Sequence, residues 1–315
     1  MEAVRVSINS RGLRGPEPLP RSAGGPARIL FLGDSVTFGY AVSEESTFVG
    51  RVWEEGRRAS PGWEAMNGGI EDAGIVEERM LLEEIGPELD PSLVVVCFYA
   101  NDSRPPVGFL QEYLSEDPVD RWARTHPRIV SRSRLASFLH FRYRRLVTRF
   151  HLYRSPIPAR FAWVDLWREG AWRQDAAVLD SLISLARFDW GAGWGGDGWA
   201  LVKRELTAME RWCMRRGVAL AVVYTPVQIE VEGRAVPEPG PGKLLEDLCC
   251  TMGLPFLDLL PRLRGTHGCY LDQCHYSIAG HRVVAGALLP WMRELIGGGS
   301  PHNRLDRGRH GCLFD

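Results

Sequence analysis

Short apolar runs without polar alternation constrain the fold of this chain more than any other feature. Residues 29–32 form one such run directly before Gly33, and residues 92–99 form the most apolar and β-rich one. Runs of this kind are typical of parallel strands that are covered on both faces. Segments with helical spacing separate them, so the sequence predicts strands and helices that alternate around a parallel sheet.

The other predicted elements continue the same alternation and end at Gly, Pro or polar residues. In chain order they are a helix over 48–58, a strand over 63–66, helices over 75–84 and 199–216, a strand over 218–224, a helix over 243–252, a strand over 255–258 and a helix over 279–296. The sequence therefore predicts an α/β protein.

Composition divides the chain into further segments. Residues 1–27 are rich in Pro and Gly and are interpreted as an extended arm and linker. Residues 28–103 and 199–298 carry the strand and helix alternation of the α/β domain. Residues 104–198 contain six of the eleven tryptophans and little strand signal, so we expect a mainly helical insertion, the cap. Residues 299–315 form a C-terminal tail.

Arginine is concentrated inside the predicted cap. Residues 121–160 contain eleven arginines and no acidic residue, while Leu135, Leu139 and Phe150 fall on one helical face. One interpretation is a helix that packs its apolar stripe while the arginines pair with acids elsewhere in the chain. The other is a surface for an anionic or lipid-headgroup partner.

Composition also excludes several classes of protein. Hydrophobic residues make up 45% and charged residues 24% of the 315 residues, which is typical of a globular protein. No run approaches the roughly 18 apolar residues of a membrane-spanning helix, and the polar N-terminus lacks a signal-peptide pattern, so we expect a cytoplasmic protein. The net charge of −1 does not indicate a nucleic-acid partner. The oligomeric state stays open.

The seven cysteines lie mostly in apolar surroundings, as Cys97 does, and are interpreted as reduced core residues. A zinc site at Cys269 and Cys274 would need two more ligands at suitable spacing. The adjacent Cys249 and Cys250 are a poor second pair. We therefore predict no metal and no cofactor.

Ser35 is the candidate nucleophile, because it follows the first predicted strand at a sharp turn. Gly33 permits a turn that lifts the serine above the carboxyl edge of the sheet, where open α/β folds bind ligands. Gly-Asp-Ser is also common turn chemistry, so a plain β-turn is the alternative. Residues elsewhere in the chain decide between the two.

Asp272 and His275 lie just before the last predicted helix. A spacing of three residues puts both on one side, so the carboxylate can accept from one ring nitrogen while the other faces a pocket. A serine hydroxyl needs such a base, and the base needs a group that orients it. A histidine without such a partner would be interpreted as structural. His281 is interpreted as a packing residue of the last helix.

With these residues placed, the chain resembles the GDSL or SGNH hydrolase superfamily of esterases, lipases and acyltransferases. Four blocks match in order and separation: Gly33-Asp34-Ser35, Asn67-Gly68-Gly69, Asn101-Asp102 and Asp272-Gln273-Cys274-His275. The leader Asn-Ser-x-Gly-Leu-Arg-Gly and the Thr-Phe-Gly after the serine are similar to a bacterial subgroup. The third block departs from the usual Gly-x-Asn-Asp, because Tyr99 stands where the glycine would be.

The resemblance implies a three-layer αβα, flavodoxin-like fold with about five parallel strands. It also implies that Ser35 is the nucleophile, His275 the base and Asp272 the group that orients it. The implied oxyanion donors are the Ser35 N–H, the Gly69 N–H and the Asn101 side-chain amide. Residues expected to support the site from behind are Asp34, Asn67 and Asp102.

The resemblance further implies acyl transfer on a small-molecule ester. The leading hypothesis is an O-deacylating esterase. The alternatives are an acyltransferase that uses the same triad and a non-catalytic binding module. Because the cap leaves the chain just after Asn101, we expect it to cover the Ser35 edge and set substrate choice, with its arginines binding an anionic ester. Packing on the opposite face, or an oligomer interface, is the alternative.

Overall fold

The computed structural model describes most of the α/β domain and little of the predicted cap. The described residues are 4–21, 25–60, 62–104, 163–233 and 236–297, with nine positions between 119 and 143. Most of the predicted cap, including nearly all of its arginine-rich part, and the whole predicted tail of 299–315 lie outside the described residues.

Five parallel strands form one sheet in the order β2-β1-β3-β4-β5. They are β1 (Ala27–Gly33), β2 (Trp63–Gly69), β3 (Leu93–Tyr99), β4 (Ala219–Thr225) and β5 (Phe256–Asp258). The predicted α/β fold with about five parallel strands is confirmed. The main difference is β2, which continues three residues beyond its predicted end at residue 66.

Helices connect the strands and cover the sheet. They are α1 (Ser35–Phe38), α2 (Phe48–Arg58), α3 (Ile75–Leu89), α4 (Val164–Glu169), α5 (Ala176–Leu185), α6 (Asp197–Met214), α7 (Gln228–Glu232), α8 (Pro241–Met252), α9 (Leu260–Leu263) and α10 (Ile278–Gly297). None of the described helices combines the length and apolar character that crossing a membrane requires.

The apolar run of β1 serves two hydrophobic layers, which explains why it does not alternate with polar residues. Ile29 and Phe31 pack with α2 and α10 on one face of the sheet. Leu30 and Leu32 pack with α3, α6 and α8 on the other. All four side chains are fully buried, as a parallel strand between two helical layers requires.

The last part of the predicted cap belongs to the core of the α/β domain. Trp163, Trp172 and Trp190 are each 1% exposed and pack with α5 in the same layer as α2 and α10. Burial of three indole rings contributes several kcal/mol of hydrophobic free energy. Residues 163–198 are therefore continuous with the domain, and the cap over the earlier residues stays a prediction.

Five of the cysteines match the prediction of reduced, buried thiols: Cys97, Cys213, Cys249, Cys269 and Cys274. The prediction is wrong for Cys250, which is disulfide-bonded. Its position on α8 explains the difference, because Cys249 faces the core while the next residue faces outward.

Candidate active site

The carboxyl edge of the sheet brings three of the four sequence blocks together. Ser35 begins α1 directly after β1, Asn67 and Gly69 end β2, and Asn101 lies in a short 3₁₀ turn directly after β3. Neighbouring parallel strands end at the same edge, so these residues meet although they are far apart in sequence. The fourth block approaches from the segment before α10.

The turn that carries Ser35 depends on Gly33 and Asp34. A Cβ atom at Gly33 would lie 2.2 Å from Thr37 Oγ1, so only glycine allows this close approach. Asp34 caps α1, because its Oδ1 accepts the Val36 N–H at 2.8 Å. Ser35 is the first residue of α1, so its N–H has no partner within the helix.

Ser35, His275 and Asp272 form one continuous hydrogen-bonded chain. Ser35 Oγ lies 2.9 Å from His275 Nε2, and His275 Nδ1 lies 2.7 Å from Asp272 Oδ2. A carboxylate only accepts, so Nδ1 carries the ring proton and Nε2 is left to accept the hydroxyl proton. The three residues that the sequence predicted as nucleophile, base and orienting group therefore come together in the order that this chemistry requires.

A turn built on Asp272 fixes the histidine. Asp272 Oδ1 accepts the backbone N–H of Cys274 at 3.0 Å and that of His275 at 2.8 Å. The carboxylate is thus held by its own backbone through one oxygen while the other faces the imidazole. Such a local turn explains why a spacing of three residues is enough to place both groups on one side.

The charges around His275 favour its protonated form. Burial opposes the imidazolium, but the hydrogen bond to Asp272 and the negative charges of Asp272 and Asp34 outweigh it and raise the pKa of His275 above its ordinary value. Burial likewise opposes the Asp272 carboxylate, yet its hydrogen bonds to His275 and Cys274 lower its pKa. The interactions that cause both shifts stabilise the ion pair that forms when the histidine takes a proton.

Asn101 is held behind Ser35 by Asp34. One N–H of the Asn101 amide donates to Asp34 Oδ2 at 3.1 Å, and the residue is 6% exposed. An amide nitrogen has two N–H groups, so the second remains available to a substrate oxygen. The role of Asn101 as an oxyanion donor stays a prediction.

The N–H of Gly69, a predicted oxyanion donor, has a hydrogen-bond partner within its own sequence block. Its N–H donates to Asn67 Oδ1 at 2.9 Å, whereas the next N–H, of Ile70, donates to Gly33 O in β1. Because successive N–H groups of a strand point in opposite directions, the Gly69 N–H points away from β1. The extension of β2 to Gly69 is the cause, since a strand residue has its N–H direction set by the ladder. Asn67 also donates to Thr37 O at 3.0 Å and so holds α1.

Buried acids lie behind the oxyanion site. Asp102 Oδ2 accepts the Tyr99 N–H at 2.7 Å, and Asp34, Asp102 and Glu78 are each 1% exposed or less. Burial is the largest cause that raises the pKa of all three carboxyl groups, and the negative charge of Asp34 also raises the pKa of Glu78 and of Asp102.

Arg14 is a site residue that the sequence analysis missed. Its guanidinium is buried and donates to three carbonyl oxygens of the segment after Ser35, those of Phe38 at 2.7 Å, Gly39 at 2.7 Å and Val42 at 2.6 Å. Its backbone N–H donates to Asn67 O at 3.2 Å. The predicted linker is therefore a docked segment, and the leader motif that contains Arg14 was the available signal.

Tyr40 is a second residue without a predicted role. Its ring lies 4.6 Å from the His275 ring, centroid to centroid, at an interplanar angle of 36°. The side chain is 47% exposed. It therefore places a partly exposed aromatic ring beside the base. By contrast, His281 is a packing residue as predicted, because it is 1% exposed and its Nδ1 accepts the Phe48 N–H.

Comparison with known proteins returns structural likeness only, since no family model and no curated protein matches the chain. One similar solved structure is TesA, at 12% identity and a TM-score of 0.45, over 85% of this chain and 99% of that one. A G-D-S-L family protein from Desulfitobacterium hafniense DCB-2 aligns at 10% identity and 0.41, over 84% and 98%. A mutant of an acetylxylan esterase from Geobacillus stearothermophilus aligns at 14% identity and 0.45, over 84% and 94%.

These alignments cover most of the chain at low identity. The sheet of this chain, with five parallel strands between helical layers, agrees with the fold that the resemblance to the SGNH hydrolase superfamily implies. At such identities the chemistry has to be inferred from the side chains of this chain.

Proposed function

We propose that this protein is a serine hydrolase that cleaves carboxylic esters through an acyl-enzyme. The observation that carries the proposal is the hydrogen-bonded chain from Ser35 Oγ through His275 to Asp272, with distances of 2.9 and 2.7 Å. Its position at the carboxyl edge of a parallel sheet, where open α/β folds bind ligands, supports the same conclusion.

The geometry accounts for each step of the reaction. As Ser35 Oγ attacks the ester carbonyl, His275 Nε2 takes its proton, and Asp272 stabilises the imidazolium. The same proton then passes to the departing alcohol, which leaves Ser35 acylated. Water attacks the acyl-enzyme with His275 again as base, and the acid is released. Proton transfer by a positioned base contributes roughly a hundred- to ten-thousandfold in rate.

The oxyanion of the tetrahedral intermediate needs fixed donors. The Ser35 N–H and the second N–H of Asn101 supply two of them, and each such donor is worth about 2.7–4 kcal/mol in the transition state. Gly69 remains a predicted third donor, and its N–H becomes available only if Asn67 Oδ1 releases it. Asp34 supports the site by capping α1 and holding Asn101 in place.

The substrate is proposed to be a small ester. Tyr40 offers an apolar wall beside His275, and a neighbour in fold is named as an acetylxylan esterase, which is consistent with a short acyl group. We keep the predicted cap as the part that selects the alcohol. Whether water or a second alcohol accepts the acyl group depends on what the cap admits to the site.

A chromogenic short-chain ester tests this proposal directly. We expect the wild-type protein to release free acid, and Ser35→Ala to lose activity at least a thousandfold with an unchanged thermal unfolding midpoint. The matched control is Ser181→Ala, which removes an exposed hydroxyl on α5 and should keep full activity. Assays with a competing alcohol distinguish hydrolysis from transfer by their products. Full activity in Ser35→Ala would refute the mechanism.

A further inference from the structure

The thiol of Cys274 lies beside both His275 and Asp272. Because Asp272 Oδ1 accepts the N–H groups of both Cys274 and His275, the two side chains lie on the same side of the turn. Cys274 Sγ lies 3.3 Å from His275 Nδ1 and 3.5 Å from Asp272 Oδ1. In the described part of the chain, the ligand atoms of Asp272, Cys274 and His275 lie close enough together to share one metal ion.

We propose that Asp272, Cys274 and His275 form an inhibitory site for a thiolate-binding divalent cation of the Zn²⁺ class. The proposal concerns regulation of the site described above and rests on the proposed function only for its effect on activity. Thiolate, imidazole and carboxylate are the ligands that Zn²⁺ prefers, and three protein ligands with one water complete a tetrahedral site. Mg²⁺ and Ca²⁺ prefer oxygen ligands and are not expected to bind.

The distances fit a tetrahedral ion. With zinc bonds of about 2.3 Å to sulfur and about 2.0–2.2 Å to nitrogen and oxygen, neighbouring ligand atoms lie about 3.3–3.6 Å apart. The separations of Sγ from the nitrogen and from the oxygen already fall in this range, at 3.3 and 3.5 Å. With Oδ1 as the carboxylate ligand, the hydrogen bond between His275 Nδ1 and Asp272 Oδ2, at 2.7 Å, is lost, because Nδ1 gives up its proton to bind the ion.

An ion can reach the site from the side of Asp272. The Asp272 side chain is 32% exposed and the His275 side chain 15%, whereas Cys274 is largely buried. The ion would therefore enter beside the carboxylate and bind the thiol beneath it, with water as the fourth ligand on the open side.

Binding at this position would remove the base. A neutral imidazole that binds a metal through Nδ1 carries its proton on Nε2. Nε2 is the atom that faces Ser35 Oγ at 2.9 Å, and once protonated it can no longer accept the hydroxyl proton. The ion would also occupy Asp272, which otherwise stabilises the imidazolium. The metal-bound protein should therefore be inactive.

The protons and charges of the step balance. The Cys274 thiol releases its proton to solvent, and the proton of His275 moves from Nδ1 to Nε2. The two negative charges of the thiolate and the Asp272 carboxylate then neutralise the two positive charges of the ion. No oxidant or reductant is involved, so removal of the metal by a chelator should restore the free site.

Binding can be measured without any catalytic activity. We would titrate Ser35→Ala protein with Co²⁺, which absorbs through a thiolate charge-transfer band only when sulfur is bound, and then displace it with Zn²⁺. The expected result is one Co²⁺ per chain, and loss of the band in the double variant that adds Cys274→Ala. Cys213→Ala, which removes a buried thiol on α6, is the matched control and should leave the band unchanged.

Inhibition is the second measurement. We expect Zn²⁺ to lower wild-type ester hydrolysis at least tenfold along the same saturation curve, EDTA to reverse the loss, and Mg²⁺ to have no effect. The ratio of activity with and without Zn²⁺ should return to near one in Cys274→Ala and in Cys274→Ser. A Co²⁺ band that persists without Cys274, or no band at all, would overturn the metal site. A band in a protein without esterase activity would instead refute the proposed function.

Discussion

Arg14→Ala tests whether the N-terminal segment holds the nucleophile turn in place. Arg14 is 3% exposed, and its guanidinium donates to Phe38 O, Gly39 O and Val42 O at 2.6–2.7 Å. The Phe38 and Gly39 carbonyls end α1, whose first residue is Ser35. Removal of the guanidinium takes its donor from Val42 O and opens a cavity. It leaves Phe38 O and Gly39 O with the longer bonds from Asn67 Nδ2 at 3.3 Å and from the Val42 N–H at 3.4 Å.

The size of the effect follows from these contacts. Each buried acceptor that loses its partner costs about 1–3 kcal/mol, and because two of the three keep a longer bond we expect a total of about 3–5 kcal/mol, with the cavity included. For a chain of this size that lowers the thermal unfolding midpoint by roughly 5–8 °C. A loosened α1 should also lower kcat at least tenfold, with a smaller change in KM, because Ser35 no longer stays in line with His275.

Calorimetry and ester hydrolysis at a temperature where all variants are folded measure the two effects separately. Arg14→Lys should be intermediate, because one ammonium group cannot reach three carbonyls in this geometry. Added guanidine at a non-denaturing concentration should partly restore kcat in Arg14→Ala. The control is Arg11→Ala in the same leader, whose exposed ion pair with Glu88 contributes little to stability. If Arg14→Ala matched Arg11→Ala in both measurements, Arg14 would not hold the turn that carries Ser35.

Four further predictions concern the site and its surroundings. Asn101→Ala should lower kcat about a hundredfold with a smaller effect on KM, because the oxyanion exists only in the transition state, and a change in KM alone would contradict this. The rising limb of kcat/KM against pH should have its midpoint above 6.5, since the folded pKa of His275 is raised and the base works only when neutral. His281, whose pKa burial lowers to about 3, should make the unfolding free energy fall as pH decreases from 6.5 towards 3, by on the order of 4 kcal/mol, and His281→Asn should flatten this dependence. Reversing the charge of Arg142 with a neighbouring arginine should lower activity on anionic esters but not neutral ones if the cap lines the site, and unchanged selectivity would favour an interface.

The sequence predicted those parts of the fold that local patterns determine. The uninterrupted apolar run before Gly33 predicted a strand buried on both faces, and β1 has one. Asp272 and His275 could be paired from sequence because a single turn, closed by the backbone N–H groups of the same segment, brings them together. Their approach to Ser35 was predictable only through the resemblance of the four blocks, since 240 residues separate the two ends of that hydrogen bond.

Contacts that depend on tertiary docking could not be predicted in this way. Pro and Gly in the leader indicated a linker, yet Arg14 finds three carbonyl acceptors in a turn 24 to 28 residues later. Trp163 and Trp190 lie in a segment without strand and helix alternation, so composition assigned them to the cap although they pack in the core. Gly69 was assigned from its block alone, and the longer strand β2 turned its N–H towards Asn67.

Covalent labelling of Ser35 is the most direct test of the proposed mechanism. A fluorophosphonate reacts with a serine only where a base activates the hydroxyl, and mass spectrometry of the intact protein and its peptides locates the adduct. We predict one adduct per chain on Ser35, no adduct in Ser35→Ala, and labelling at least a hundredfold slower in His275→Ala. An adduct on another residue, or equal labelling rates with and without His275, would contradict the assignment of Ser35 as an activated nucleophile.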